Sequence, residues 1–230
     1  MNGGIRLKPE EIASYIDHTM LKPDATRADI RRLCEEAVRH RFRSVCVNGR
    51  WAAYCRELLA GSQVGVSVVC GFPLGAMSSA AKAFEAERAA RDGATEIDMV
   101  LSIGSLLAGE YRDVEEDIRT VTKAVAGSAI VKVILETGLL SDEQKRIACR
   151  LAESAGARFV KTSTGFGPGG ATQHDVRLMR DAVSPSVGVK ASGGIRDYAA
   201  AIGMIAAGAT RIGTSSGTAI VRGAAGGGSY

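Results

Sequence analysis

Eight short apolar runs alternate with amphipathic helical patterns along the whole chain, and this alternation is the strongest constraint on its fold. The runs are Tyr15–Thr19, Ser44–Val47, Val66–Gly71, Glu96–Leu101, Ile130–Glu136, Arg158–Thr162, Val187–Ala191 and Thr210–Gly213. Their centres lie about 28 residues apart, close to the ~30 residues of a β-α-β unit. Repeated units of this kind cross over right-handedly and give a parallel sheet. Eight of them can close into a (β/α)8 barrel, the TIM-barrel architecture, in an α/β single domain. An open doubly wound sheet is the alternative. The length of 230 residues suits one barrel. The barrel is expected over residues 1–222, with a flexible Gly-rich tail over 223–230.

The helical segments carry start and stop signals. Thr26-x-x-Asp29 has the form of a capping box, and Ile30, Leu33, Cys34, Ala37 and Val38 then follow one helical face. Val114, Ile118, Val121 and Val125 repeat the pattern. Ser141-x-x-Gln144 opens another helix, with Ile147, Ala148, Leu151 and Ala155 on its inner stripe. Gly93-Ala94, Gly156-Ala157 and Gly208-Ala209 each close a helix and open a strand, the glycine supplying a left-handed turn. Five residues after each glycine stand Asp98, Lys161 and Gly213, so these three share one register on three strands. In such barrels the chemistry sits at the C-terminal strand ends.

Lys132, Lys161 and Lys190 all lie within apolar strands. One strand lysine usually reaches solvent, but strands of a closed parallel barrel face core on both sides. A polar cluster inside the barrel is therefore expected. Two lysines close together cannot both hold a proton comfortably, and one is driven towards the nucleophilic amine. Asp98 would offset the remaining charge and move protons. Glycine segments follow the last three strands: Gly165–Gly170, Ser192-Gly193-Gly194 and Gly213-Thr214-Ser215-Ser216-Gly217. Ordinary tight turns account for any one of them. Together they stand where phosphate sites recur in this fold, and Ser215 and Ser216 could open a short helix facing an anion. A lysine that attacks a carbonyl beside a phosphate site is the expected chemistry. A phosphate-binding isomerase or synthase, or a phosphosugar-binding protein without turnover, also fits.

Other classes fit poorly. The 29 basic and 25 acidic residues are spread along the chain, with no run dense enough for nucleic acid. No stretch of about 18 apolar residues could span a membrane. Five cysteines without Cys-x-x-Cys spacing point to a reduced, cytoplasmic protein. Three histidines do not make a metal site, although His18 is placed near the pocket. Cys46 reads as a small buried residue.

The ordered segments Ile16-Asp17-His18-Thr19-Met20-Leu21-Lys22-Pro23, Ser44-Val45-Cys46-Val47-Asn48, Gly71-Phe72-Pro73-Leu74-Gly75, Glu96-Ile97-Asp98-Met99-Val100, Val131–Thr137, Phe159–Thr172, Val189–Arg196 and Gly213–Gly217 resemble the deoxyribose-phosphate aldolase family. The resemblance covers nearly the whole chain. It implies a (β/α)8 barrel without metal or organic cofactor, acting on a phosphosugar and an aldehyde. It implies Lys161 as the Schiff-base lysine, Lys190 as the neighbouring cation and Asp98 as the proton shuttle. Gly165, Gly193, Gly194, Gly213, Ser215 and Ser216 match the family's phosphate cradle. Asp17, Thr19 and Lys132 match residues near the substrate hydroxyls and the catalytic centre. Many members end in a tail tyrosine, here Tyr230, which could fold into the pocket and help move a proton. Phe166 departs from members with lysine at that place. A dimer or tetramer is expected.

Overall fold

Strands β1 (Ile16–Met20), β2 (Ser44–Val47), β3 (Gly65–Cys70), β4 (Glu96–Val100), β5 (Ile130–Ile134), β6 (Phe159–Lys161), β7 (Gly188–Ser192) and β8 (Arg211–Thr214) pair in parallel in sequence order, and β8 closes on β1. The computed structural model describes residues 7–223. The expected closed barrel is therefore the observed fold. Each strand leads to a helix: α1 (Arg27–His40), α2 (Ala52–Leu58), α3 (Ser79–Arg91), α4 (Tyr111–Ala124), α5 (Asp142–Ser154), α6 (Gln173–Ala182), α7 (Tyr198–Ala206) and the short α8 (Gly217–Ile220). Most of the Gly-rich tail, with Tyr230, lies outside the described residues.

The expected helix signals act as caps. Thr26 Oγ1 accepts from the Asp29 N–H while the Asp29 carboxylate accepts from the Thr26 N–H, and Ser141 and Gln144 do the same for α5. Gly93, Gly156 and Gly208 all have positive φ, where a side chain would be strained. Strand β2 has the expected limits, and the other seven strands differ from theirs by one or two residues. The clearest case is β5, expected to reach Glu136: it stops at Ile134 because Glu136 turns into the left-handed region at φ 58°. Val38 is also a correction. It was placed on the inner face of α1 but is 43% exposed, because it lies about 100° around the helix from Ala37, at the edge of the buried stripe.

Alternation along each strand sorts the residues into two sets. Val45, Ile97, Met99, Val131, Val133, Val160, Val189 and Ile212 join a large apolar cluster with Ile30, Leu33, Val114, Ile118, Val121, Ala148 and Val176 of the helices. Each of these Val, Leu, Ile and Met side chains contributes about 1.5–3 kcal/mol on full burial. This outer shell holds the barrel closed.

The inner set carries the polar strand residues among a few apolar ones and stacks in layers drawn from alternate strands, as in parallel eight-stranded barrels. The ladder pairs Thr19 with Cys46, Asp98 with Lys132, Ile134 with Lys161, Lys161 with Lys190, and Gly213 with Asp17. Read around the barrel, Ser44, Glu96, Phe159 and Arg211 form the lowest layer. Asp17, Ser67, Lys132 and Lys190 lie above them. Cys46, Asp98, Lys161 and Gly213 come next, and Thr19, Val69, Ile134 and Ser192 face the C-terminal mouth. Asp98, Lys161 and Gly213 share a layer because all three stand on even-numbered strands.

Candidate active site

The apolar shell forces the strand lysines inward, where only carboxylates and hydroxyls can meet them. Lys161 Nζ lies 2.8 Å from Asp98 Oδ2, and Lys190 Nζ lies 2.7 Å from the same oxygen. Lys132 Nζ donates to Asp98 Oδ1 at 2.7 Å and to Ser67 Oγ at 3.0 Å, and Ser67 donates to Asp98 at 3.0 Å. All three lysines and Asp98 are buried. Charge buried without a partner is prohibitive, and this cluster supplies the partners.

The environments push Lys161 and Lys190 apart. Burial lowers Lys161 below the ordinary lysine range; Asp98 opposes this and the Lys190 charge adds to it. Burial also acts against the Lys190 cation, but Asp17 and Asp98 override it and hold Lys190 well above the ordinary range. Burial alone would raise Asp98, yet Lys132, Lys161 and Lys190 hold it well below the usual carboxylate range. One amine thus leans towards the free base beside a fixed cation and a fixed carboxylate. Diverging titratable neighbours of this kind mark acid–base chemistry.

Asp17 and Lys132 sit one layer below Lys161 rather than at the mouth. Asp17 accepts from Ser44 at 2.7 Å, Arg211 at 2.7 Å and Lys190 at 2.5 Å. Lys132 also lies 2.6 Å from Glu96 Oε2. Their polar atoms are engaged within the cluster. Thr19 is in the mouth layer, with its hydroxyl donating to the Asp17 carbonyl at 2.9 Å.

Above the polar floor, Leu21, Cys46, Val69 and Phe72 form a small apolar cluster on one side. The Phe72 ring meets Phe166 edge-on at 5.4 Å. Cys46 Sγ is 3.9 Å from Asp98 Oδ2, and burial pushes its thiol up.

On the opposite side, the loops after β6, β7 and β8 are tied together. The Ala171 N–H donates to the Gly193 carbonyl at 3.0 Å, and Thr214 Oγ1 donates to the Ile195 carbonyl at 2.7 Å. Gly165, Gly193 and Gly194 have positive φ. A Cβ on Gly170 would lie 2.6 Å from the Gly193 carbonyl oxygen, so the loops meet where a side chain has no room. Ser215 is half-buried, and Ser216 precedes α8 with its N–H donating to Thr214 Oγ1 at 2.9 Å. The Ser163 and Ser216 hydroxyls are buried with no hydrogen-bond partner among the described residues. Gly213 differs in kind. A Cβ there would lie 2.9 Å from Ser192 Cβ and 3.0 Å from Lys190 Cε, so this glycine makes room for the lysine.

Several groups escaped the sequence reading. Arg211 and Glu96 complete the cluster from below, Ser44 and Ser67 hold its carboxylates, and Glu136 grips Thr164. The alternation that points Asp98 and Gly213 inward also points Glu96 and Arg211 inward, two residues earlier. His18 is a correction. It follows inward-facing Asp17 and so faces outward, with Nε2 2.7 Å from Glu36 and its ring against Phe42. Asp142, His174 and Asp175 could offer three metal-ligating atoms, but Lys145 Nζ already pairs with both carboxylates, at 3.1 and 2.6 Å. Among the described residues, no helix is long and apolar enough to cross a membrane.

The chain is similar to known proteins over nearly its whole length. The deoxyribose-phosphate aldolase 1 of Bacillus licheniformis is 58% identical over 214 residues, covering 93% of this chain and 96% of that protein. The deoxyribose-phosphate aldolase of Deinococcus radiodurans is 56% identical over 219 residues, covering 95% and 99%. The tetrameric deoxyribose phosphate aldolase structure from Aeropyrum pernix superposes with a TM-score of 0.87 at 36% identity, covering 94% of this chain and 91% of that one. Residues 12–223 match the DeoC/LacD family aldolase pattern, a span that takes in every layer of the polar barrel interior, and the chain belongs to that family.

Proposed function

We propose that this aldolase reversibly cleaves 2-deoxy-D-ribose 5-phosphate to D-glyceraldehyde 3-phosphate and acetaldehyde through a Schiff base on Lys161. The observation that carries the reading is the Lys161 amine, lowered by burial, 2.8 Å from Asp98 and sharing that carboxylate with the Lys190 cation. Near-full-length relatives named as deoxyribose-phosphate aldolases support the substrate.

In the cleavage direction, neutral Lys161 adds to the C1 aldehyde of the open-chain sugar, and loss of water leaves an iminium. A base takes the proton of the C3 hydroxyl, the C2–C3 bond breaks, and its electron pair flows to the iminium nitrogen, giving an enamine. Glyceraldehyde 3-phosphate departs. A proton delivered to C2 regenerates the iminium, and water releases acetaldehyde and free Lys161. Asp98, acting through water, and Lys190 move these protons. Side chains of the chain and water suffice for every step, so the reaction calls for no cofactor.

The remaining residues are assigned as follows. Thr19, in the mouth layer, is assigned to the substrate hydroxyls, while Asp17 and Lys132 support the reacting layer from beneath. Gly165, Gly193, Gly194, Ser215 and Ser216 hold the phosphate through backbone N–H groups and hydroxyls. Tyr230 is assigned to proton transfer at the enamine carbon. Residues 1–222 act as the catalytic unit and 223–230 as its tail. The enzyme serves deoxyribonucleoside catabolism in the cytoplasm as a homo-oligomer, a dimer or tetramer; the tetrameric Aeropyrum pernix relative supports the latter.

Incubation with acetaldehyde and sodium borohydride, followed by intact-mass analysis and peptide mapping, tests the core of this reading. The expected result is a reduced two-carbon adduct on Lys161. Folded protein without that adduct would overturn it.

A further inference from the structure

The reacting layer rests on an ionic network that continues to the floor of the barrel. Arg211 Nη1 lies 2.7 Å from Asp17 Oδ1 and 2.9 Å from Glu96 Oε2. From there two routes lead to the nucleophile. Asp17 bonds Lys190, which bonds Asp98. Glu96 pairs with Lys132 at 2.6 Å, and Lys132 bonds Asp98 from the other side. Arg211 is held in place by the Phe159 ring, 5.1 Å from its guanidinium carbon. Gly188 leaves room for that ring, since a Cβ there would lie 2.2 Å from it.

The charged groups of the cluster around Lys161 come from five other strands. They are Asp17 of β1, Glu96 and Asp98 of β4, Lys132 of β5, Lys190 of β7 and Arg211 of β8; β2 adds the Cys46 thiol, and β3 adds only the neutral Ser67. The cations Lys132, Lys190 and Arg211 balance the anions Asp17, Glu96 and Asp98, three against three. The cluster is therefore neutral when Lys161 carries no proton. We propose that Arg211 and Glu96, which touch no reacting atom, are positioning residues that set the protonation of Lys161 by fixing this balance. A buried network has little water to screen one unbalanced charge, so Lys161 is the group that responds. Removing Glu96's charge leaves the cluster one unit positive and disfavours a protonated Lys161. Removing Arg211's charge leaves it one unit negative and favours one. The inference rests on Lys161 being the imine-forming lysine.

The test is the pH dependence of borohydride trapping with acetaldehyde, in the folded enzyme and in Glu96→Gln, Arg211→Met, their double variant and Arg211→Lys. The acid limb of the unaltered enzyme is the reference. Glu96→Gln is expected to move it down by about one pH unit and Arg211→Met to move it up by about one pH unit. The double variant and Arg211→Lys are expected to return it to the reference. A merely structural role would change melting temperature without opposed shifts. If Arg211→Met does not fold, Glu96→Gln and Arg211→Lys carry the test, the first shifting the limb and the second leaving it. Limbs that stay put, or move in the same direction for both charge removals while Lys161 is still trapped, would overturn the inference. An unaltered enzyme that gives no adduct on Lys161 would overturn the imine reading itself, and this inference with it.

Discussion

Lys161 and Lys190 donate to one and the same oxygen, Asp98 Oδ2, at 2.8 and 2.7 Å. Two ammonium groups on one carboxylate oxygen repel each other at close range. Lys190 keeps its proton because Asp17 bonds it as well, and Lys161 has no second carboxylate partner among the described residues. The sign of a charge removal follows. With Lys190→Leu, the protonated form of Lys161 loses a repelling neighbour, so its pKa rises and less free amine exists at neutral pH. The acid limb of the pH–rate profile should move to higher pH, and imine formation at pH 7 should fall about tenfold or more. A limb unchanged in the variant would remove Lys190 from its electrostatic role.

Gly213 separates two readings of one residue. The resemblance puts it in the phosphate cradle, whereas its neighbours are Ser192 Cβ and Lys190 Cε. Its φ is not in the left-handed region, so Gly213→Ala acts through volume and not through backbone strain. The added methyl should push Lys190 off Asp98 and lower kcat by about 10–100-fold. Activity on 2-deoxyribose 5-phosphate and on unphosphorylated 2-deoxyribose should fall in the same proportion. A loss confined to the phosphorylated sugar would return Gly213 to the cradle.

Thr164 links strand β5 to the loop after β6. Its hydroxyl donates to Glu136 Oε2 and accepts from the N–H groups of Phe166 and Gly167 at 3.0 and 3.2 Å. Glu136 holds this grip from a left-handed backbone conformation that is costly for a residue with a side chain. Thr164→Val keeps the shape and removes the acceptor for both N–H groups. The expected outcome is a roughly tenfold lower kcat/KM for the phosphorylated sugar, expressed in KM, with little change for unphosphorylated 2-deoxyribose. Equal losses on both would mean that the loop shapes the catalytic centre instead.

The barrel was legible because its signals are local. A glycine C-cap followed by alanine starts a strand at a fixed height, so counting five residues on from Gly93, Gly156 and Gly208 finds Asp98, Lys161 and Gly213 in one layer. The depth of Asp17 and Lys132 was not legible, because the stagger between neighbouring strands decides which side chains lie above which. His18 was legible and was missed: alternation about inward-facing Asp17 points it to α1 and Glu36. Arg211 is not legible from the sequence: a charge at the start of a strand usually reaches solvent, and only closure of the barrel over Glu96 and Asp17 buries it. Glu136 gave no local sign of its positive φ, since nothing in its residue type calls for one.

The pair Lys82–Asp117 lies wholly outside the catalytic layers and tests the packing between α3 and α4. Lys82 Nζ is 2.6 Å from Asp117 Oδ2, with the two side chains 0% and 4% exposed. The lysine stem passes beneath Gly71, where a Cβ would lie 3.0 Å from Lys82 Cε, so the same side chain supports the loop that carries Phe72. Lys82→Met keeps most of the stem's volume but strands the Asp117 carboxylate in a buried site. The cost should be about 3–5 kcal/mol, seen as a melting temperature lower by roughly 10 °C. Replacing both partners, Lys82→Met with Asp117→Leu, removes the stranded charge and should recover most of the loss. If the double variant melts no higher than Lys82→Met alone, the lysine stabilises this seam by packing and not by its charge.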